Sequence, residues 1–312
     1  VASSLLSRLL RRKGPSGPAA SAAEDLFDQE FLRKLESLAL ASRRASAGLR
    51  RGDRRMKKKG SGVEFADHKA YVPGDDIRLL DVGIYQRLGK LLLRVYEEEE
   101  DLSLYFLIDR SASMAHGDKL AQAVRLTAAL GYIGLSALDR VSVHALGDEL
   151  YERLPPLRGK QRLFRLLRFL SNLRAGGRTD LSAALRRFAL MHPRRGLAVL
   201  LTDLYDPAGF EAGINALVHH RFEVCVLHLG STLDYKPPAH GDVSLIDAET
   251  GERAELTITA KKLRELEERI GSERLLVQRF CARKGVAYFS IDAGAPFDEV
   301  VLYLLRRGGL LE

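Results

Sequence analysis

From Leu102 onward the chain alternates short apolar runs with segments of helical spacing, and that alternation leaves few folds open. Strands are expected at about 103–109, 140–147, 149–153, 197–203, 223–229 and 286–291. Helices are expected between and after them, near 118–136, 160–172, 180–191, 208–220, 260–284 and 297–306. Strands joined through helices require crossover connections, hence an α/β domain with a mostly parallel sheet and helices on both faces. Little more than Gly147-Asp148 separates the second strand from the third, so these two should pair as a hairpin, with the third antiparallel at an edge. Residues 242–258, two extended halves around Glu249-Thr250-Gly251-Glu252, read as an inserted hairpin.

The chain ahead of this domain has a different character. Residues 1–23 carry Leu5, Leu6, Leu9 and Leu10 among Arg8, Arg11 and Arg12, then a Gly-, Pro- and Ala-rich stretch, and are expected to form a disordered tail. A section from 24 to 101 follows, and the α/β domain takes 102–312. Asp25 to Arg50 has helical spacing, with Phe27, Phe31, Leu35, Leu38 and Leu40 as its apolar stripe. Then come a basic run and mostly extended segments at Val63–Phe65, Tyr71-Val72 and Leu91–Tyr96.

A net charge of +8 over 312 residues raises the question of a polyanionic partner. Much of the excess sits in Arg43 to Lys59, with an acidic run at Glu97 to Asp101 some forty residues on, and no aromatic residue interleaves the basic run as a base-stacking platform would need. A nucleic-acid role is therefore not expected. Cys225 and Cys281 lack metal-ligand or redox spacing and read as small buried apolar residues in a reducing, cytoplasmic setting. No apolar stretch has the length of a transmembrane helix.

The chemistry gathers where the first strand ends. Asp109, Ser111 and Ser113 alternate in Asp-Arg-Ser-Ala-Ser, Thr179 follows in Gly-Gly-Arg-Thr-Asp, and Asp203 ends the apolar run from Leu197. All five side chains are oxygen donors, the set a hard divalent ion such as Mg²⁺ or Mn²⁺ prefers. Taken singly, Asp109 is also a plausible cap for the helix near Lys119, and Thr179 for the helix beginning at Asp180. Together they occupy strand ends and a helix start, where open α/β sheets bind ligands.

The Asp-x-Ser-x-Ser segment, with Thr179 and Asp203 after it in order, resembles the metal-ion-dependent adhesion site of von Willebrand factor type A domains. The resemblance implies that Ser111 and Ser113 touch the metal, that Asp109 and Asp203 act mostly through waters, and that Thr179 engages conditionally. Gly60-x-Gly62-x-Glu64-Phe65, Tyr71-x-x-Gly74-Asp75-Asp76-x-Arg78-x-x-Asp81 and Arg94-x-Tyr96-Glu97-Glu98-Glu99 are similar to motifs of the DUF58 family, which pairs a type A fold with MoxR-type AAA+ ATPases. Val82 stands where that family usually has tryptophan, and Lys69 where arginine is common. The resemblance implies a non-enzymatic, metal-dependent interaction module, an adaptor for such an ATPase or for a client that supplies an acidic residue to the metal. Within the motifs, Gly74-Asp75-Asp76 reads as a tight turn, and Arg78 as a partner for Asp75, Asp76, Asp81 or the glutamates 97–99.

The alternative is a metal-dependent hydrolase on a similar sheet. It lacks an identifiable base: Ser111 stands where phosphoryl-transfer aspartates have their second carboxylate, and the histidines show no ligand spacing. Gly60-x-Gly62 is not followed by the Gly-Lys-Ser/Thr of a phosphate-binding loop, and Ser111 and Ser113 lack the glycine-flanked elbow of a serine hydrolase.

Overall fold

The computed structural model describes residues 27–49, 59–60, 64–97, 102–147, 152–178, 180–192, 194–231, 241–246 and 253–307. The expected tail (1–23), basic residues 50–58, Thr179 and the turn of the inserted hairpin lie outside the described residues.

In chain order the elements are α1 (Gln29–Leu49), β1 (Lys59–Gly60), β2 (Glu64–Ala70), α2 (Val82–Leu88) and β3 (Leu92–Glu97). They continue with β4 (Ser103–Asp109), α3 (Lys119–Ser136), β5 (Arg140–Leu146), β6 (Glu152–Leu157), α4 (Leu163–Ser171) and α5 (Leu181–Met191). Next are β7 (Leu197–Thr202), α6 (Glu211–His219), β8 (Glu223–Gly230), β9 (Gly241–Ile246) and β10 (Arg253–Ile258). The last are α7 (Ala260–Arg283), β11 (Ala287–Asp292) and α8 (Phe297–Arg307). The described residues fall into two compact units, one within 1–47 and 102–312 and the other within 48–101.

The larger unit is built on a six-stranded sheet in the order β11-β8-β7-β4-β5-β6. Every pairing is parallel except that of β5 with β6. This is the mostly parallel, helix-covered sheet expected from the strand and helix spacing, with its antiparallel edge. The central strands read as unbroken apolar runs because both faces are covered. On β4, Leu104, Phe106 and Ile108 face a core shared with α1, α3, α4 and α8, through residues such as Leu35, Leu130, Leu166 and Val301. Tyr105 and Leu107 face the other core, with Leu185 and Phe188 of α5, Ile214 and Leu217 of α6, and Cys281 of α7. In α3, a side chain at Gly134 would run into Leu104, so the missing Cβ lets the helix lie close on the sheet.

The structure differs from the sequence pattern at two places. The edge strand was expected at 149–153, whereas the structure places it at Glu152–Leu157, with Val143 opposite Leu154 and Val141 opposite Leu157. Pro155-Pro156 reads against a strand because neither nitrogen donates, yet an edge tolerates this, and Leu154 and Leu157 gain full burial by the later register. On α1 the buried stripe is Phe31, Leu35, Leu38 and Ala39, and Leu40 is 56% exposed. Leu40 lies five residues past Leu35, too far round a 3.6-residue turn to share its face.

In the smaller unit, β1, β3 and β2 form an antiparallel sheet in that order. The expected turn at Gly74-Asp75-Asp76 is present, and Asp75 accepts from the Val72 amide at 3.0 Å and from Lys69 at 3.1 Å. Asp81 caps α2 by accepting from the Ile84 amide at 3.1 Å. Its side-chain partners are Arg94 at 2.9 Å and His68 at 3.2 Å, so of the acids open to Arg78 in the sequence, Asp81 is bonded by Arg94. These donors hold the Asp81 carboxyl well below the usual carboxylate range, the Arg94 bond contributing most.

His144 on β5 is buried among the rings of His192, Phe188 and Tyr105, at centroid distances of 4.7, 5.0 and 6.2 Å. Burial, reinforced by His192 and Arg153, pushes its pKa down to about 3. Between that value and about 6.5 the unfolded chain binds the proton and the folded chain does not. Stability is therefore full above about pH 6.5 and falls as pH drops toward 3, by a total on the order of 5 kcal/mol for this group. Urea unfolding at pH 7 and pH 4.5 should show about half of this loss, and His144→Leu should reduce the difference between the two by about 2.5 kcal/mol; an unchanged difference would contradict the assignment.

Candidate metal centre

Strands are added in one direction from β4 to β5 and in the other from β4 to β7, so a crevice opens at the carboxyl ends of β4 and β7. Asp109 ends β4 and Asp203 directly follows β7. The β4–β7 register runs to Ile108 opposite Leu201, which puts the next residues, Asp109 and Thr202, side by side. The Thr202 hydroxyl donates to Asp109 Oδ2 at 2.7 Å, and the Ser111 amide donates to Asp109 Oδ1 at 2.9 Å. Asp109 thus shapes the loop after its own strand and does not cap the helix at Lys119.

The Ser111 and Ser113 hydroxyls hydrogen-bond each other at 2.9 Å on one side of that loop. The Gly176-Gly177 segment is pinned to the same loop: the Gly176 amide donates to the Arg110 carbonyl at 2.8 Å, and the Ala112 amide donates to the Gly177 carbonyl at 3.1 Å. Asp180, next after Thr179, caps α5 by accepting from the Ala183 amide at 2.7 Å. Of the five residues singled out from the sequence, the structure brings Asp109, Ser111 and Ser113 into one bonded loop and sets Asp203 beside them on the adjacent strand end. Thr179 lies outside the described residues.

Charge is the unusual feature of this crevice. Asp109 is 4% exposed and Asp203 1%. Burial, with the Asp203 carboxylate adding to it, pushes the Asp109 pKa up to about 6 against the pull of the Thr202 and Ser111 bonds. Lys119 Nζ meets Asp203 Oδ2 at 2.7 Å, while Asp203 Oδ1 accepts from the Tyr205 amide at 3.2 Å. The Tyr205 ring lies 5.1 Å from the ammonium. Behind β7, the His228 ring bonds the Tyr288 hydroxyl at 2.7 Å, and burial lowers its pKa to about 4 despite the opposing Asp203 charge.

The sequence reading missed Lys119, Thr202 and His228. Lys119 carried a usable signal: it lies four and seven residues before Ala123 and Leu126, on the stripe that α3 buries. Thr202 and His228 carried none beyond their places within apolar strands.

The donors fit a hard divalent ion. In a Mg²⁺ octahedron with bonds of 2.0–2.1 Å, neighbouring ligand oxygens stand roughly 2.9 Å apart. The Ser111 and Ser113 hydroxyls have that spacing, 2.9 Å. Two buried carboxylates beside them supply attraction for a cation. Among the described residues, no three His, Cys, Asp or Glu side chains are grouped to hold a metal, so this centre would rest on hydroxyls and two carboxylates.

The chain belongs to the family described as "Protein of unknown function DUF58", which matches residues 67–274. It is 27% identical over 248 residues to the uncharacterized protein Rv1480 of Mycobacterium tuberculosis, covering 77% of this chain and 78% of that protein. It is 31% identical over 164 residues to the uncharacterized protein MAV169 of Mycobacterium avium, covering 51% of this chain and 96% of that one. Among solved structures it is similar to the conserved hypothetical protein BatB from Bacteroides thetaiotaomicron, with a TM-score of 0.40 and 14% identity over 66% of this chain and 96% of that chain. It is also similar to the SpRpn10 VWA domain, with a TM-score of 0.37 and 12% identity over 65% of this chain and 94% of that chain. Among the described residues no helix is long and apolar enough to cross a membrane.

Gly117 and Asp118, both left-handed with φ of 61° and 58°, turn the serine loop into α3. A Cβ at Gly117 would meet the Ser231 side chain. Gly117→Ala should therefore destabilise the larger unit by about 2 kcal/mol or more, through backbone strain plus overpacking. Denaturant unfolding checks this, and a change below about 0.5 kcal/mol would contradict it.

Proposed function

We propose that this protein is a non-enzymatic, divalent-metal-dependent interaction module that works in the cytoplasm with a MoxR-type AAA+ ATPase in assembling or maturing protein complexes. The observation that carries the metal-dependent part is the Ser111–Ser113 hydroxyl pair, set at an octahedral ligand spacing beside Asp109 and Asp203. Ser111 and Ser113 would hold Mg²⁺ or Mn²⁺, with Thr179 from the adjoining loop. The ion, when bound, supplies an electrophilic position able to accept a carboxylate from a partner protein. The chain's own residues do the rest. Thr202 and the Ser111 amide fix the Asp109 carboxylate, and Lys119 and the Tyr205 amide fix that of Asp203. Two neutral hydroxyls donate little negative charge, which leaves the ion short of anionic ligands and favours one from outside. The ATPase partnership rests on the DUF58 membership, and the cytoplasmic setting on two buried, free cysteines.

Capture of the cognate ATPase or its client by the immobilised full chain tests this reading. Chelator and Asp109→Ala should each reduce capture at least about tenfold, and Thr179→Ala less. Capture indifferent to both chelator and Asp109→Ala would overturn it.

A further inference from the structure

Lys119 occupies a position that is unfavourable for a cation on two counts. Its side chain is 2% exposed, and it is the first residue of α3, where the helix macrodipole opposes positive charge. It is held there by Asp203 at 2.7 Å and by the Tyr205 ring. Stability alone is a poor reason for such a pair, because well-packed apolar residues of similar volume commonly do as well or better. What distinguishes this pair is its place: the carboxylate it occupies is the one beside Asp109, at the switch point of the sheet.

We infer that Lys119 is a built-in counter-ion that sets the affinity of the metal centre and makes its occupancy depend on an anionic ligand from a partner. The inference rests on the metal-dependent reading above. Without metal, the ammonium neutralises Asp203 and keeps the two buried carboxylates from forcing the crevice apart. With metal, the same ammonium opposes the incoming charge, so the ion binds weakly until a carboxylate from outside offsets it. Lys119 would act on the ion through the Asp203 carboxylate it bonds, and so is a positioning residue.

The test is Mn²⁺ affinity, by electron paramagnetic resonance, for the full chain, Lys119→Met, Lys119→Gln and Ser113→Ala, with thermal unfolding in parallel. An ammonium a few ångströms from a doubly charged ion should weaken its binding about tenfold or more. Both Lys119 variants should therefore bind Mn²⁺ at least about tenfold more tightly than the parent, and Ser113→Ala should abolish binding. Their melting temperatures should fall without metal and recover in Mg²⁺ more than the parent's rises, a dependence that a purely structural lysine would not produce. If the Lys119 variants bind no more tightly while Ser113→Ala still abolishes binding, the role given to Lys119 is overturned and the metal centre stands. If neither parent nor variant binds Mn²⁺ at millimolar concentration, both are overturned. Should neither variant fold, the Lys119 ammonium ¹⁵N resonance of the parent decides: saturating Mg²⁺ should shift it, and an unmoved resonance with metal bound overturns the inference.

Discussion

Between β4 and β7 the chain reverses the direction in which it adds strands, and the molecule's buried polar chemistry depends on that reversal. Crossovers leaving on opposite faces keep the carboxyl ends of these two strands apart from helical cover. The next residue along each strand is therefore where a charged side chain can be accommodated. Asp109 and Asp203 take those places, and the loops after them are shaped by bonds to their carboxylates. The strands are mostly apolar on both faces, with isolated buried polar side chains such as Ser142 and His144, and this end is where two carboxylates meet.

The two carboxylates are compensated differently. Asp109 accepts from a hydroxyl and an amide, neutral donors that orient it without cancelling its charge, and burial raises its pKa accordingly. Asp203 meets an ammonium directly. On the proposed reading, two carboxylates and two hydroxyls would attract a divalent ion while the fixed internal cation would limit how tightly it is held. The smaller unit uses charge in another way. There Arg94 and His68 brace the Asp81 cap from neighbouring strands, and Lys69 closes the Asp75 turn.

Much of the larger unit was legible in the sequence because burial on two faces leaves unbroken apolar runs, and such runs have clear ends. β4 spans Ser103–Asp109, as expected, and β7 stops one residue earlier than expected, before Asp203. The edge strand was less legible, since β6 is covered less and contains Pro155-Pro156, which a local rule reads as a break. The partner of Asp81 was not legible for a related reason: Arg94 is near it only once β2 and β3 have paired. At the candidate site the oxygen donors announced themselves by alternation, but Lys119 did not. A lysine at a helix start ordinarily faces water, and only the periodicity of α3 turns this one inward.

The proposed function requires a divalent ion held by the serine loop. Diffraction from crystals of the full chain grown with Mn²⁺, recorded at a wavelength where manganese scatters anomalously, tests that claim most directly. An anomalous peak is expected about 2.0–2.2 Å from the Ser111 and Ser113 hydroxyl oxygens, beside Asp109 and Asp203. An empty serine loop in crystals whose manganese sits at surface histidines or carboxylates instead would contradict it.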